Sequence, residues 1–254
     1  MTRRVAFITG SAKGIGRRVA GEFAGSSVDL VLGYRSGKET MTEFAQHLRS
    51  RFGIQVLPLQ GDVSNRNHIS EMVRTAKEHF GQIDILVNNA GPYIFDRKKM
   101  VDYEFDEWEY IVNGNLNSVF YFANLFIPGM RQNRWGRIVN IGFDRAETAP
   151  GWPNRSAFAA AKVGLVSLTR TLAMEEASHG ITVNMVCPGD IREEWKEADI
   201  ARARQCNAAG SPVGRYPTGE DIARTILFLC GEDSDLITGS VISITGAEDV
   251  LGKA

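Results

Sequence analysis

Apolar residues in this chain fall into short, nearly unbroken runs separated by longer stretches where they recur every three or four positions. Seven runs read as strands: RVAFIT from residue 4, VDLVLGY from 28, IQVLPLQ from 54, IDILVNN from 83, GRIVNIG from 136, ITVNMVCP from 181 and SVISIT from 240. Most are apolar at successive positions rather than at alternate ones, the pattern of strands covered on both faces. Between them, spacings such as Ile15, Val19 and Phe23 predict helices, and a long one is expected from about Ser156 to Ala177. Strand and helix in alternation imply parallel pairing through right-handed crossovers. The expectation is a single-domain α/β Rossmann-type fold over residues 1–254, a doubly wound, seven-stranded parallel sheet with helices on both faces. One segment, 190–217, is charged and helix-prone and falls outside the alternation, so it is expected to form a lid or substrate loop.

Composition narrows the function classes. At 254 residues the chain can bury a sizeable core, and its net charge of −1 argues against a nucleic-acid surface. The N-terminus runs straight into the first strand, and no apolar run approaches the roughly 20 residues of a membrane span. Cys187, Cys206 and Cys230 are odd in number and in no metal- or redox-type spacing, which suits a reducing cytoplasm. The four histidines lie apart in polar helical stretches, so no metal is expected.

The first candidate chemistry lies in TGSAKGIG, residues 9–16, between the first strand and the first helix. Gly10, Gly14 and Gly16 let the backbone turn tightly and approach a pyrophosphate, and Ser11, Lys13 and Ile15 share the turn. The helix start offers free N–H groups and the positive end of its dipole to the anion. The second strand ends in Tyr34 and Arg35, where a carboxylate would favour NAD by holding the ribose hydroxyls. Asp29 lies at the wrong end of that strand. Arg35 and Lys13 are placed to hold a 2′-phosphate instead, so NADP(H) is expected over NAD(H). The competing reading is two solvated surface cations.

The glycine turn, NNAG at 88–91 and CPGDI at 187–191 occur in an order and spacing that resemble the short-chain dehydrogenase/reductase family along essentially the whole chain. The nearest likeness is to 3-oxoacyl-[acyl-carrier-protein] reductase-like members, many of them NADPH-dependent homotetramers. By this resemblance Asp62, beside Val63, contacts the adenine. Asn88, Ala90 and Gly91 line the middle of the cofactor, and Pro188, Gly189 and Ile191 lie at its nicotinamide end. The long helices expected near 104–134 and 156–177 would build the tetramer.

The family's usual active site is an Asn-Ser-Tyr-Lys set. The tyrosine moves the proton at the substrate oxygen, the lysine four residues later lowers the tyrosine's pKa, and the serine orients the carbonyl. Asn115 matches the asparagine and Lys162 the lysine. The tyrosine position holds Phe158, and Gly142 and Phe143 stand where the serine pair belongs. The link from Phe143 to Phe158 is about two residues longer than the resemblance implies, and Arg192 replaces a threonine that contacts the nicotinamide amide. Loss of a general acid typically costs ~10² to 10⁴ in rate. Asp144 is the candidate surrogate, since pteridine-reductase-like relatives carry an aspartate at the serine position; the alternative is a solvated loop carboxylate beside Arg145 and Glu147. Tyr93, just past NNAG, either supplies a phenol or lines the pocket, and Trp152, between Gly151 and Pro153, suggests a fixed aromatic wall.

Two functions follow. One is an NADP(H)-dependent oxidoreductase on a small-molecule carbonyl or acyl-thioester substrate, with weakened or rerouted proton transfer. The other is a catalytically inactive NADPH-binding sensor, regulator or partner subunit, with a hetero-oligomer containing an active paralogue as a further variant.

Overall fold

The computed structural model describes residues 3–208, 210–249 and 251. In chain order the elements are β1 (Val5–Ile8), α1 (Gly14–Gly25), β2 (Asp29–Tyr34), α2 (Lys38–Phe52), β3 (Val56–Gln60), α3 (Arg66–Phe80) and β4 (Ile85–Asn88), followed by α4 (Phe105–Val112), α5 (Ser118–Asn133), β5 (Gly136–Ile141), α6 (Ser156–Glu176), β6 (Ile181–Pro188), α7 (Ile200–Arg204), α8 (Gly219–Leu229) and β7 (Val241–Ile244). All seven expected strands are present. They form one sheet in the order β3-β2-β1-β4-β5-β6-β7, and every neighbouring pair is parallel. Strand order reverses between β1 and β4, which opens a crevice at the carboxyl ends of those two strands.

Both faces of the sheet are covered. On one, Val19 and Phe23 of α1 and Ile222 and Ile226 of α8 pack on Ile8, Leu32 and Val186. On the other, Phe122 and Phe126 of α5 meet Phe7 with ring centroids 5.2 and 5.4 Å apart. Fully burying one such ring contributes about 1.5–3 kcal/mol. Burial on both faces explains why β1, β2 and β4 are buried at every position, as the unbroken apolar runs predicted.

Two helical expectations were refined. The helix expected near 156–177 runs from Ser156 to Glu176 and packs on β6. By length and composition this helix could also cross a membrane, yet Ala157, Leu165 and Ala173 are buried in the way of a core helix. The helix expected near 104–134 is interrupted by a π-helical turn at Asn113–Asn117. Within that turn Asn115 Nδ2 donates to the Ile111 carbonyl at 3.0 Å.

Candidate active site

The glycine turn sits at the strand-order reversal. Gly10 and Gly14 have φ of 68° and 62°, a region costly for residues with a Cβ. A Cβ on Gly16 would overlap the Gly10 carbonyl and Asn89 Nδ2, so α1 can start this close to the turn only with glycine there. The turn is stapled from β4. Asn89 Nδ2 donates to the carbonyls of Thr9 (2.9 Å) and Gly10 (3.1 Å), while Thr9 Oγ1 accepts the N–H groups of Asn89 and Ala90. Ser11 is fully buried and its hydroxyl donates to Gly33, so its side chain serves the turn itself. Ile15 packs against the core, and Lys13 stands at the start of α1 without capping it.

One contact was not foreseen. The Gly14 N–H donates to Glu197 Oε1 at 2.7 Å, and Arg17 Nε lies 3.6 Å from the other oxygen of that carboxylate. Glu197 belongs to the 190–217 segment, which contains a 3₁₀ turn (Glu193–Trp195) and the short α7. Trp195 anchors the segment, buried and stacked on Tyr216 at 4.9 Å. The Glu197 carboxylate thus takes a helix-N-terminal amide of the kind that a phosphate oxygen would accept from.

At the end of β2, Tyr34 turns its ring into the core, so the side chain offered at the edge is Arg35. Its Nη1 donates to the Tyr110 hydroxyl of α4 and lies 4.0 Å from Asp62 Oδ2. Asp62 Oδ1 accepts from the Ser64 N–H and hydroxyl, fixing the turn after β3, with Val63 against the core. Asp29, at the start of β2, is buried and accepts the Gln55 N–H, far from this edge.

Toward the other end of the crevice, Asn88 faces inward and donates to Asn140, which donates to Thr169. Asn115 is buried, and its Nδ2 donates to Pro92 and Ile111, but its Oδ1 has no partner. A Cβ on Gly91 would overlap that oxygen. Pro188 ends β6, Gly189 donates to Ile244 of β7, and Ile191 is buried just beyond. Arg192 turns toward Tyr216, with its guanidinium 6.0 Å from that ring.

Lys162 is buried in α6 with Nζ donating to the Ile141 carbonyl at 2.7 Å. Burial lowers its pKa from an ordinary 10.5 to about 8. One turn earlier, the Phe158 ring centre is 5.7 Å from Nζ. Around Phe158 lie Tyr93 (5.0 Å), Trp152 (6.1 Å) and Phe143 (6.2 Å), and Trp152 packs on Phe143 at 5.0 Å. Phe143 and Phe158, expected to stand at the family's serine and tyrosine positions, therefore belong to one aromatic cluster. Asp144 is buried, with Arg145 Nε 3.7 Å from its carboxylate, so it is not a solvated loop residue. Gly142 lies under β6: a Cβ there would come within 2.5 Å of Met185 Cε and 2.6 Å of Cys187 Sγ. Burial pushes the Cys187 thiol up to about 12, leaving it a neutral packing group.

The glycine cradle, the helix start, the buried unpartnered Asn115 Oδ1 and the buried Lys162 amine suit a dinucleotide laid across the strand ends from Arg35 to Lys162. Among the described residues no group of three potential ligands could hold a metal ion. Fold and site together define a dinucleotide-binding α/β protein of the doubly wound class.

The comparisons specify which. A sequence model described as "Enoyl-(Acyl carrier protein) reductase" matches residues 10–246. The chain is 47% identical to "Putative oxidoreductase YtkK" of Bacillus subtilis, covering 98% of both chains. It is 33% identical to the 3-oxoacyl-[acyl-carrier-protein] reductase FabG of Haemophilus influenzae, over 97% of this chain and 98% of that one. A solved structure titled "putative 3-oxoacyl-reductase from bacillus thuringiensis" superposes with a TM-score of 0.91 at 48% identity, covering 98% of this chain and all of that one. The chain belongs to the short-chain dehydrogenase/reductase family, and it is an oxidoreductase of that type. The family's reductases work with a nicotinamide cofactor.

Sequence reasoning overlooked Glu197, Tyr110 and the stapling role of Asn89. Asn89 stood within the quoted NNAG motif, whereas no local signal marked the other two.

Proposed function

We propose that the protein is an NADP(H)-dependent oxidoreductase acting on a carbonyl or 3-oxoacyl-type substrate, with proton delivery weakened or rerouted. The carrying observation is the glycine turn at the strand-order reversal together with Lys162 buried one turn from Phe158. When bound, the nicotinamide supplies or accepts hydride. In this reading the amides of the glycine turn and the start of α1 bind the pyrophosphate, while Arg35 and Lys13 hold the 2′-phosphate. Lys162 holds the nicotinamide ribose, and the unpartnered Asn115 Oδ1 accepts from a water in the proton path. Phe143 and Phe158 exclude water but give no proton, and the buried Asp144 is the surrogate acid, with Tyr93 lining the pocket. The segment 190–217 acts as the lid, carried by Trp195 and Glu197. A homotetramer in a reducing cytoplasm completes the proposal; three free cysteines, two of them buried, support that compartment.

A second reading, an inactive NADPH-binding regulator or partner subunit, is favoured by the joint replacement of both hydroxyl positions by packed rings. Turnover separates the two. NADPH consumption is followed for wild type, Phe158→Tyr and Asp144→Asn on acetoacetyl thioesters, quinones and simple ketones. The expected result is slow wild-type turnover, a gain of ~10² to 10⁴ in Phe158→Tyr, and loss in Asp144→Asn. NADPH binding without turnover by wild type or Phe158→Tyr would refute the oxidoreductase proposal in favour of the second reading.

A further inference from the structure

Arg35 lies one residue beyond β2 with an exposed side chain, a setting in which an arginine usually samples many rotamers. Here it is restrained. Gln60 Nε2 donates to the Arg35 carbonyl at 3.0 Å, fixing the backbone. The Tyr110 hydroxyl takes the Nη1 proton, and Asp62 Oδ2 lies 4.0 Å from the same nitrogen. Nε and Nη2 engage no partner among the described residues. The guanidinium is therefore held by one corner, with Nε and Nη2 left free, and those two N–H groups form the edge that engages two oxygens of a phosphate together. Tyr110 comes from α4, 75 positions away in sequence, so the tether is a product of helix docking.

We propose that Tyr110 is a specificity-determining positioning residue: its hydroxyl holds the Arg35 guanidinium with its bidentate edge free for the 2′-phosphate of the cofactor. The inference rests on the NADP(H) reading above and adds what makes an exposed arginine discriminate. A free Arg35 must give up rotamer freedom when phosphate arrives, whereas a tethered one has already done so. The hydroxyl is needed only by a ligand bearing the 2′-phosphate; NADH gains nothing from it.

The test measures equilibrium binding of NADPH and NADH, by ligand fluorescence, to wild type, Tyr110→Phe, Arg35→Ala and the double variant. Tyr110→Phe keeps the ring and removes one hydrogen bond to a charged group. It is expected to weaken NADPH about two- to tenfold, the cost of ordering one freed arginine side chain, while NADH binding changes by less than about a factor of two. Arg35→Ala is expected to abolish the preference, and adding Tyr110→Phe to it should cost nothing more. Equal weakening of both cofactors in Tyr110→Phe would make Tyr110 a packing residue and overturn the proposal, as would unchanged NADPH binding. If wild type prefers NADPH and only Arg35→Ala loses that preference, the proposal falls while the NADP(H) reading stands. If wild type binds NADH as well as NADPH, both fall.

Discussion

Removing the charge of Lys162 is expected to stabilise the protein while damaging its site. The amine is buried in α6 and its pKa falls from 10.5 to about 8 through desolvation. At ~1.4 kcal/mol per tenfold change in proton affinity, holding this proton in the folded state costs about 3 kcal/mol at pH 7. Between pH 8 and 10.5 the unfolded chain binds more protons at this residue than the folded one, so stability rises with pH through that window. The cost is full below about pH 8 and under about 1 kcal/mol by pH 10. Against it stands the 2.7 Å bond from the charged Nζ to Ile141, whose loss costs about 1.5–3 kcal/mol. Lys162→Met, close in shape and uncharged, should therefore gain on the order of 1 kcal/mol at pH 7, or about 2 °C in Tm for a chain of this size. At pH 10 the gain should vanish or reverse slightly, because only the lost hydrogen bond remains. Urea and thermal unfolding of both proteins without cofactor, at pH 7 and pH 10, would measure this. A variant less stable than wild type at pH 7, with a difference indifferent to pH, would refute the reasoning. The stabilised variant is also expected to bind NADPH more weakly, a stability–function trade-off at the proposed ribose contact.

Other substitutions probe the crevice. Glu197→Gln weakens a charge-assisted contact to the Gly14 amide at a helix start, so NADPH should bind about two- to fivefold more tightly; a fluorescence titration showing no change, or weaker binding, would mean that the carboxylate does not compete with the cofactor. Gly142→Ala drives a Cβ against Met185 and Cys187 in a packed layer and should cost about 1–3 kcal/mol in urea unfolding, whereas a neutral result would show that these side chains yield freely.

Much of the fold was legible because its signals are local. Apolar runs, unbroken in most strands, marked the sheet, and glycine between strand and helix marked the turn whose φ values only glycine adopts at little cost. Phe158 and Lys162 were placed one helical turn apart by counting alone, and that one of them carries no hydroxyl is a matter of residue identity. Other features depended on where distant segments dock. The Glu197 carboxylate meets Gly14 across 183 positions, and Tyr110 meets Arg35 across 75, so neither pair has a period or motif to reveal it. The π-helical turn at Asn115 was invisible for a related reason. Hydrophobic spacing predicts an unbroken helix through that region, and the π turn, with Asn115 bonded to the Ile111 carbonyl, has no local sequence signal. Sequence likewise left open whether Asp144 faces water or the interior, since a polar residue in a loop is compatible with both; in the fold it is buried, beside Arg145. What the chain alone determined was the set of elements and which side chains each of them carries, because periodicity and residue identity travel with the sequence. What only the tertiary structure decided was which charges face the cofactor crevice and which hydrogen bonds hold them, because those depend on distances between residues that the chain brings together only when the sheet is covered.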